Sequence, residues 1–197
     1  MSDTYYTIAK EGTGKFTEKK SRFLSFAYHV KSADDAKARL KQLQNEYHDA
    51  RHVCWAYVIG PDRSETQAND NGEPSGTAGR PILGQINSLG LTDVAVGVVR
   101  YFGGIKLGTP GLIAAYKEAA SLALNDSGVS ECIVQKQFSF TFPYIVMNDV
   151  MKVVKATGAE IISQQFDNSC SMTLSIRKDD ADNLNSRLAS ISGVTFF

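Results

Sequence analysis

Residues 93–102, DVAVGVVRYF, are the most regular strand pattern in the chain, and the rest of the fold is built around them. Val94, Val96 and Val98 recur at every second position and therefore share one face of a sheet. Arg100 continues that face, and a cation at the end of an apolar face predicts a position at the rim of the sheet. A glycine-rich turn, RYFGGIKLGTPG (100–111), then leads into the next element.

That next element is predicted to be a long helix. Thr109 and Pro110 mark its start, because threonine is a good N-cap and proline is tolerated in a first turn. Its packing face consists of small and apolar residues at helical spacing, namely Leu112, Ala115, Ala119, Leu122 and Ala123. The segment Asp126-Ser-Gly128 predicts its end.

Strands and helices also alternate before this region. The predicted elements are strands at Tyr5–Ala9, Ser21–Val30 and Val53–Gly60, a helix from Ser32 to Tyr47, a long loop at Pro61–Arg80 and a short helix at Pro81–Leu89. A loop of that length inside a well-patterned domain favours a functional explanation.

From residue 131 onwards the pattern restarts in the order β-α-β-β-α-β. The predicted elements are Cys132–Phe142, Tyr144–Ala156, Glu160–Phe166, Cys170–Arg177, Asp179–Ile191 and Val194–Phe197, with a turn at Asp167-Asn168. This order is typical of the split βαβ or ferredoxin-like unit. We therefore predict an α+β protein with two domains, residues 1–129 and residues 130–197.

Composition excludes several classes of protein. The 197 residues are 43% hydrophobic and 21% charged, which is typical of a folded globular chain. Formal net charge is zero, so there is no global attraction to nucleic acid or membranes. Three cysteines without a CxxC pair predict neither a zinc site nor a disulfide framework. With no signal-peptide or transmembrane pattern, we expect a cytoplasmic protein without metal, cofactor or membrane contact.

The loop Asn69–Pro81, NDNGEPSGTAGRP, is the first candidate site. Its glycine spacing is neither that of a Walker loop nor that of a Rossmann fingerprint. One interpretation is an ordered loop that closes the domain. The other is a ligand loop, since glycines let backbone N–H groups approach an anion or an RNA backbone. Asp70 and Glu73 are weak candidates for an acid/base pair, and otherwise no catalytic residue is predicted.

The second glycine-rich turn is a candidate anion site. Lys106 stands beside the helix start at Thr109, where free N–H groups favour an anion, and we expect the two loops to meet. The candidate anion-binding or nucleic-acid-binding residues are Lys19, Lys20, Arg22, Arg80, Arg100, Lys106 and Thr109. For the second turn, the alternative is a tight turn that needs glycine only for its geometry. Lys19, Lys20 and Arg22 belong to a basic cluster at residues 15–22, for which the alternative is a solvated strand end.

His48, His52 and Cys54 suggest chemistry at the start of one strand. His52 and Cys54 lie on the same side of that strand, because side chains alternate. A metal site would need further ligands, and a nucleophilic thiolate would need a polar environment. A buried, unreactive cysteine is the default interpretation.

Four segments resemble the YigZ/IMPACT family, in particular its bacterial YigZ branch. They are KKSRF (19–23), HDARHVCWAYVIG (48–60), NDNGEPSGTAGRPIL (69–83) and VVRYFGGIKLGTPGLIAAYKEA (98–119). The resemblance implies an N-terminal domain similar to the second domain of a small-subunit ribosomal protein, to elongation factor G domain IV and to small-molecule kinases. It also implies a C-terminal domain similar to elongation factor G domain V.

The resemblance implies a role linked to translation. Eukaryotic members regulate translation initiation with an extra N-terminal partner-binding domain, which we do not expect here because strands begin near residue 4. Nucleic-acid or ribosome association is the usual suggestion for the bacterial branch. We therefore predict a regulatory factor that binds RNA or the ribosome through its polar glycine-rich loops, without catalysis. The alternatives are an enzyme of kinase-like fold acting on a phosphorylated or carboxylated small molecule, and a module that binds a protein partner.

Overall fold

The computed structural model describes residues 3–167 and 169–197. Contacts between residues group the chain into two compact units. One unit is Tyr5–Cys132, and the other is Ile133–Phe197 together with Asp3 and Thr4. The division lies slightly beyond the predicted one at residues 129 and 130. Between residues 3 and 133, the structure contains ten strands and helices: β1 Thr4–Ile8, β2 Gly12–Glu18, β3 Ser21–His29, α1 Ala33–Glu46, β4 His52–Ile59, β5 Glu65–Asn69, α2 Gly79–Ser88, β6 Val94–Tyr101, α3 Gly108–Ser127 and β7 Val129–Ile133.

Strand β6 is the centre of a five-stranded antiparallel sheet with the order β2-β3-β6-β4-β5, while β1 pairs with β7. Val94, Val96 and Val98 belong to the same buried cluster as residues of α2 and α3, which confirms their predicted shared face. The opposite face packs against α1, where Leu43 and Val99 share a cluster. Gly97 permits this close approach, since a Cβ there would lie 2.4 Å from Leu43.

Helix α1 begins as predicted. The Ser32 hydroxyl accepts a hydrogen bond from the Asp35 N–H at 3.2 Å, and Ala36, Leu40 and Leu43 form the buried face.

Two strands of the sheet escaped sequence-based prediction. Strand β2 contains Gly12 and Gly14, a residue type that usually weakens a strand. Here these glycines let α3 lie against the strand, since a Cβ on Gly12 would be 2.2 Å from the Ala123 carbonyl oxygen. Strand β5 lies inside the predicted loop Pro61–Arg80 and pairs with β4 at the edge of the sheet. Its polar, largely exposed side chains lack an apolar alternation.

The second unit has the predicted β-α-β-β-α-β order. Its elements are β8 Gln135–Phe142, α4 Met147–Thr157, β9 Glu160–Phe166, β10 Cys170–Arg177, α5 Ala181–Ala189 and β11 Thr195–Phe196. They form a four-stranded antiparallel sheet in the order β11-β8-β10-β9. The architecture of the chain is therefore α+β, as predicted.

Boundaries in this unit differ from the predictions. The strand predicted at Cys132–Phe142 is two strands, β7 and β8. The first residues of both predicted helices form short 3-10 turns, Tyr144–Val146 and Lys178–Asp180. Of the predicted turn at Asp167-Asn168, Asn168 lies outside the described residues.

Candidate anion-binding site

Both glycine-rich loops line one cavity of about 470 Å³, as the sequence predicted. The first loop contributes Gly72, Glu73 and Pro74, and the second contributes Phe102 and residues 106–109. The remaining lining residues are His52 and Arg100 in strands, Leu112 in α3, and Arg51, which precedes β4. The cavity thus lies in the unit Tyr5–Cys132, beside the start of α3.

Asp70 fixes the first loop to the start of α2. Its carboxylate accepts hydrogen bonds from the backbone N–H groups of Gly76, Ala78 and Gly79 at 2.8, 3.0 and 2.8 Å. Burial by itself would raise the pKa of Asp70, but these three donors hold it below its usual value. Both carboxylate oxygens are engaged, so the geometry gives Asp70 a structural role as a remote helix cap.

Glu73 and Arg100 form a largely buried ion pair in the wall of the cavity. Arg100 Nη1 donates to Glu73 Oε1 at 2.6 Å, and the Tyr116 hydroxyl donates to the same oxygen at 2.8 Å. Glu73 and Arg100 are only 8% and 6% exposed. The pair therefore links the first loop to β6 and α3. The sequence does not predict this hydrogen bond of Tyr116, because a tyrosine at a helical core position looks like an ordinary packing residue.

Cys54 extends this network and is a protonated thiol. Its Sγ lies 2.9 Å from the Asp70 carbonyl oxygen and 3.3 Å from the Tyr116 hydroxyl oxygen, so its single proton has two acceptors within reach. Burial raises the pKa of Cys54 to about 12, and burial is also the main reason why the pKa of Tyr116 rises above its ordinary value. The predicted burial of Cys54 is confirmed, and its raised pKa agrees with the interpretation that this cysteine is unreactive.

His52 lies on the same side of β4 as Cys54, as predicted. Its Nδ1 is 2.9 Å from the Asn71 carbonyl oxygen, so the imidazole also contacts the first loop, and His52 lines the cavity. No group of three or more potential metal ligands occurs among the residues that the structure describes.

Helix α3 begins with a different cap residue from the one predicted. The helix begins at Gly108, with Leu107 rather than Thr109 in the cap position, and within the described chain no side chain caps it. Gly108 has a φ of 72°, a left-handed conformation that favours glycine at this sharp entry. The first turn contains no acidic residue. Gly108 and Thr109 line the cavity, so free N–H groups and the positive end of the helix dipole border it.

Gly103 ties the second loop to the turn between β2 and β3. Its N–H donates to the Ser21 hydroxyl oxygen at 3.2 Å. A Cβ at Gly103 would lie 2.0 Å from the carbonyl carbon of Lys20, so only glycine fits at this close approach.

The predicted cationic residues fall into two groups. Arg100, Lys106 and Thr109 line the cavity, together with Arg51, which the sequence analysis had not selected. Arg51 precedes β4, and only the sheet pairing of His52 with Arg100 shows that this strand end borders the site.

The other cations lie elsewhere in the unit. Lys19 lines a separate cavity of about 370 Å³ beside Glu18 and Glu118, and Arg22 stacks over the Tyr101 ring at 5.1 Å. Lys20 forms the β2–β3 turn with Lys19. Arg80, which was predicted to join the pocket, instead lies beside Gly76 on the α2 side of the first loop.

No helix within the described ranges is both long enough and apolar enough to span a bilayer.

The fold and the site define a two-unit α+β protein with a cationic, loop-lined cavity at a helix start. Residues 19–124 match the family model described as the Impact N-terminal domain. The chain belongs to the IMPACT family.

Bacterial members and one solved structure resemble the chain over much of its length. It is 35% identical to "IMPACT family member YigZ" of Escherichia coli (strain K12) over 150 residues, which are 75% of this chain and 74% of that protein. It is 41% identical to "IMPACT family member YvyE" of Bacillus subtilis (strain 168) over 131 residues, 66% of this chain and 60% of that relative, so less than two thirds of that relative is covered. A crystal structure described as that of a hypothetical protein has a TM-score of 0.77 and 28% identity, with 100% of this chain and 98% of that chain covered.

Proposed function

We propose that this protein is a cytoplasmic, translation-linked regulatory factor that binds RNA or the ribosome through its two glycine-rich loops and catalyses no reaction. Membership of the IMPACT family supports the link to translation, because the family resemblance implies that role for eukaryotic members. The cavity supports the mode of binding.

The observation that carries the proposal is an exposed aromatic ring beside a cationic helix start. Phe102 lines the cavity and is 48% exposed, while Lys106 and Thr109 line it at the start of α3. Single-stranded RNA is bound by this combination, since a base stacks on an aromatic ring and a phosphate contacts cations and N–H groups.

Charge supports a local contact rather than a long basic groove. Residues 1–128 contain 15 Lys and Arg against 14 Asp and Glu, and residues 129–197 contain 6 against 7. Binding along a phosphate backbone usually needs a stripe of cations. We therefore expect the cavity and its loops to make the main contact.

Catalysis finds little support in the same geometry. The Asp70 carboxylate accepts three backbone hydrogen bonds, and Glu73 is paired with Arg100 and Tyr116. Neither arrangement provides a free acid/base group directed at a substrate, whereas both stabilise the loop.

Co-sedimentation with purified ribosomes across a salt series tests the proposal. The protein is expected to sediment at low salt and to be released as salt rises, with Lys106→Gln lowering the salt slope by about one. Phe102→Ala is expected to weaken binding at every salt concentration, because it removes the stacking surface.

Lys41→Gln provides the matched control, since Lys41 is exposed on α1, the helix packed on the opposite face of the sheet. Absence of binding at low salt would overturn the proposal. Cavity variants that bind ribosomes as well as the control does would also overturn it. In that case, a protein partner that binds another surface of the chain becomes the better explanation.

A further inference from the structure

We infer that the cavity binds a nucleotide ending in a phosphomonoester, such as the phosphorylated end of an RNA strand, in preference to an internal phosphodiester. This inference rests on the proposed function and specifies the chemistry of its ligand. The phosphate is placed at the start of α3, and the base is placed against Phe102.

The start of α3 offers the phosphate its donors. N–H groups in the first turn of a helix have no partner within the helix, and the Thr109 side chain and Lys106 line the same cavity. Gly104 and Gly108 leave this approach open: a Cβ at Gly104 would meet nothing within 4 Å, and one at Gly108 only Pro110 at 4.0 Å.

Arg100 provides an independent indication of a ligand. It lines the cavity, is only 6% exposed, and its Nε has no hydrogen-bond partner among the described residues. A buried guanidinium donor without a partner is costly, so its persistence beside a cavity indicates a group that is bound there.

The net charge of the lining favours a terminal phosphate. Arg51, Arg100 and Lys106 contribute three positive charges, and Glu73 removes one, which leaves two. A phosphomonoester carries a charge of about −1.5 to −2 at pH 7, whereas an internal phosphodiester carries one negative charge. The cavity therefore matches the charge of a strand end better than that of the backbone.

The shape of the site agrees with a single nucleotide. A cavity of about 470 Å³ lies in the range typical of sites for small ligands. Arg100 already stacks with Phe102, its guanidinium carbon lying 5.6 Å from the ring centroid, which orients the exposed ring beside the cations. One base can stack on this ring while its phosphate reaches Lys106 and Thr109.

Fluorescence anisotropy with one short single-stranded RNA in three forms tests the inference. The forms carry a 5′-phosphate, a 3′-phosphate or hydroxyls at both ends, each with the fluorophore at the opposite or an internal position. One phosphorylated form is expected to bind about tenfold more tightly than the dihydroxyl form. Lys106→Gln should abolish that preference, whereas Lys41→Gln should retain it.

Equal affinity for all three forms would overturn the inference while leaving the proposed function intact, provided that ribosome binding still depends on Lys106. Competition by a free nucleoside monophosphate separates the two sources of the same chemistry. If the monophosphate binds in a Lys106-dependent manner and neither RNA nor ribosomes bind, the phosphomonoester site is supported and the proposed function is overturned.

Thr109→Ala provides a second variant that leaves the buried network untouched, because Thr109 is exposed. It is expected to weaken binding of the preferred phosphorylated RNA by a few-fold, since one hydroxyl donor is lost. A melting temperature equal to that of the wild type will show that the variant is folded.

Discussion

Helices α2 and α3 both begin after a glycine-rich loop, but their first turns are completed differently. The Asp70 carboxylate accepts hydrogen bonds from the N–H groups of Ala78 and Gly79 at the start of α2, and from Gly76 in the loop before it. The start of α3 has no side-chain cap within the described residues and borders a cavity lined by cations. The chain thus supplies an internal anion to one helix and leaves the equivalent position of the other open to an external one.

Gly79 of the first loop and Gly104 of the second differ in the same way, although Gly103 of the second loop is itself tightly packed against Lys20. A Cβ on Gly79 would lie 2.7 Å from the Asn69 backbone nitrogen, so α2 begins in close contact with the strand before it. A Cβ on Gly104 would meet nothing within 4 Å, and Phe102 and Ile105 are 48% and 44% exposed. The first loop is packed for stability, and the second presents a surface that a ligand can contact.

Replacing Glu73 should have the largest effect, because it removes the buried ion pair that links the first, packed loop to β6 and α3. We expect Glu73→Ala to lower the free energy of unfolding by about 4 kcal/mol, since the buried Arg100 guanidinium loses its counter-ion. Urea denaturation measures the loss, with the exposed Glu65→Ala as the control. A loss below about 1 kcal/mol would show that Arg100 does not depend on this pair.

Replacing Asp70 should have the next largest effect. Asp70→Asn is expected to cost about 2 kcal/mol, because the amide nitrogen that replaces one carboxylate oxygen cannot accept from the backbone N–H group that it faces. The same urea experiment measures it, with the exposed Asp179→Asn as a control for the loss of a carboxylate. Equal losses in the two variants would mean that the three hydrogen bonds contribute little.

The contribution of Asp70 should also depend on pH. Because its pKa is lowered in the folded state, its stabilisation is complete above the unfolded-state pKa of about 3.9 and is lost as pH falls through the folded-state value. We therefore expect the difference in unfolding free energy between wild type and Asp70→Asn to be constant from pH 7 to 5. It should decrease below pH 4. Urea titrations at four pH values measure it, and a difference that grows in acid would contradict the lowered pKa.

The sequence predicted those strands and helices whose apolar spacing or capping residues lie within a single segment. Strand β6, helix α1 and the whole β-α-β-β-α-β order follow from apolar spacing and caps. Strand β2 was missed because Gly12 and Gly14 serve the packing of α3, a long-range contact that makes glycine necessary inside a strand. Edge strand β5 was missed because it buries too few side chains to show a period.

The sequence predicted which loops form the candidate site, but not which hydrogen bonds and neighbouring strands connect its residues. Lys106 and Arg100 stand next to glycine-rich turns, which is a signal that sequence can supply. The buried hydrogen bond between Tyr116 and Glu73 joins residues 43 positions apart in the chain. It depends on how α3 packs beside the first loop. Arg51 joins the cavity for a similar reason, because the start of β4 pairs with the end of β6.

An added carboxylate at the α3 start should remove the difference between the two helices. In Thr109→Asp, the new side chain lies in the first turn, so we expect the free energy of unfolding to rise by about 0.5 kcal/mol through its interaction with the helix dipole. The same charge should repel a phosphate and reduce binding of phosphorylated RNA more than Thr109→Asn does. Urea denaturation and anisotropy measure the two effects. If Thr109→Asp binds phosphorylated RNA as tightly as the wild type, the start of α3 is not the place where the phosphate binds.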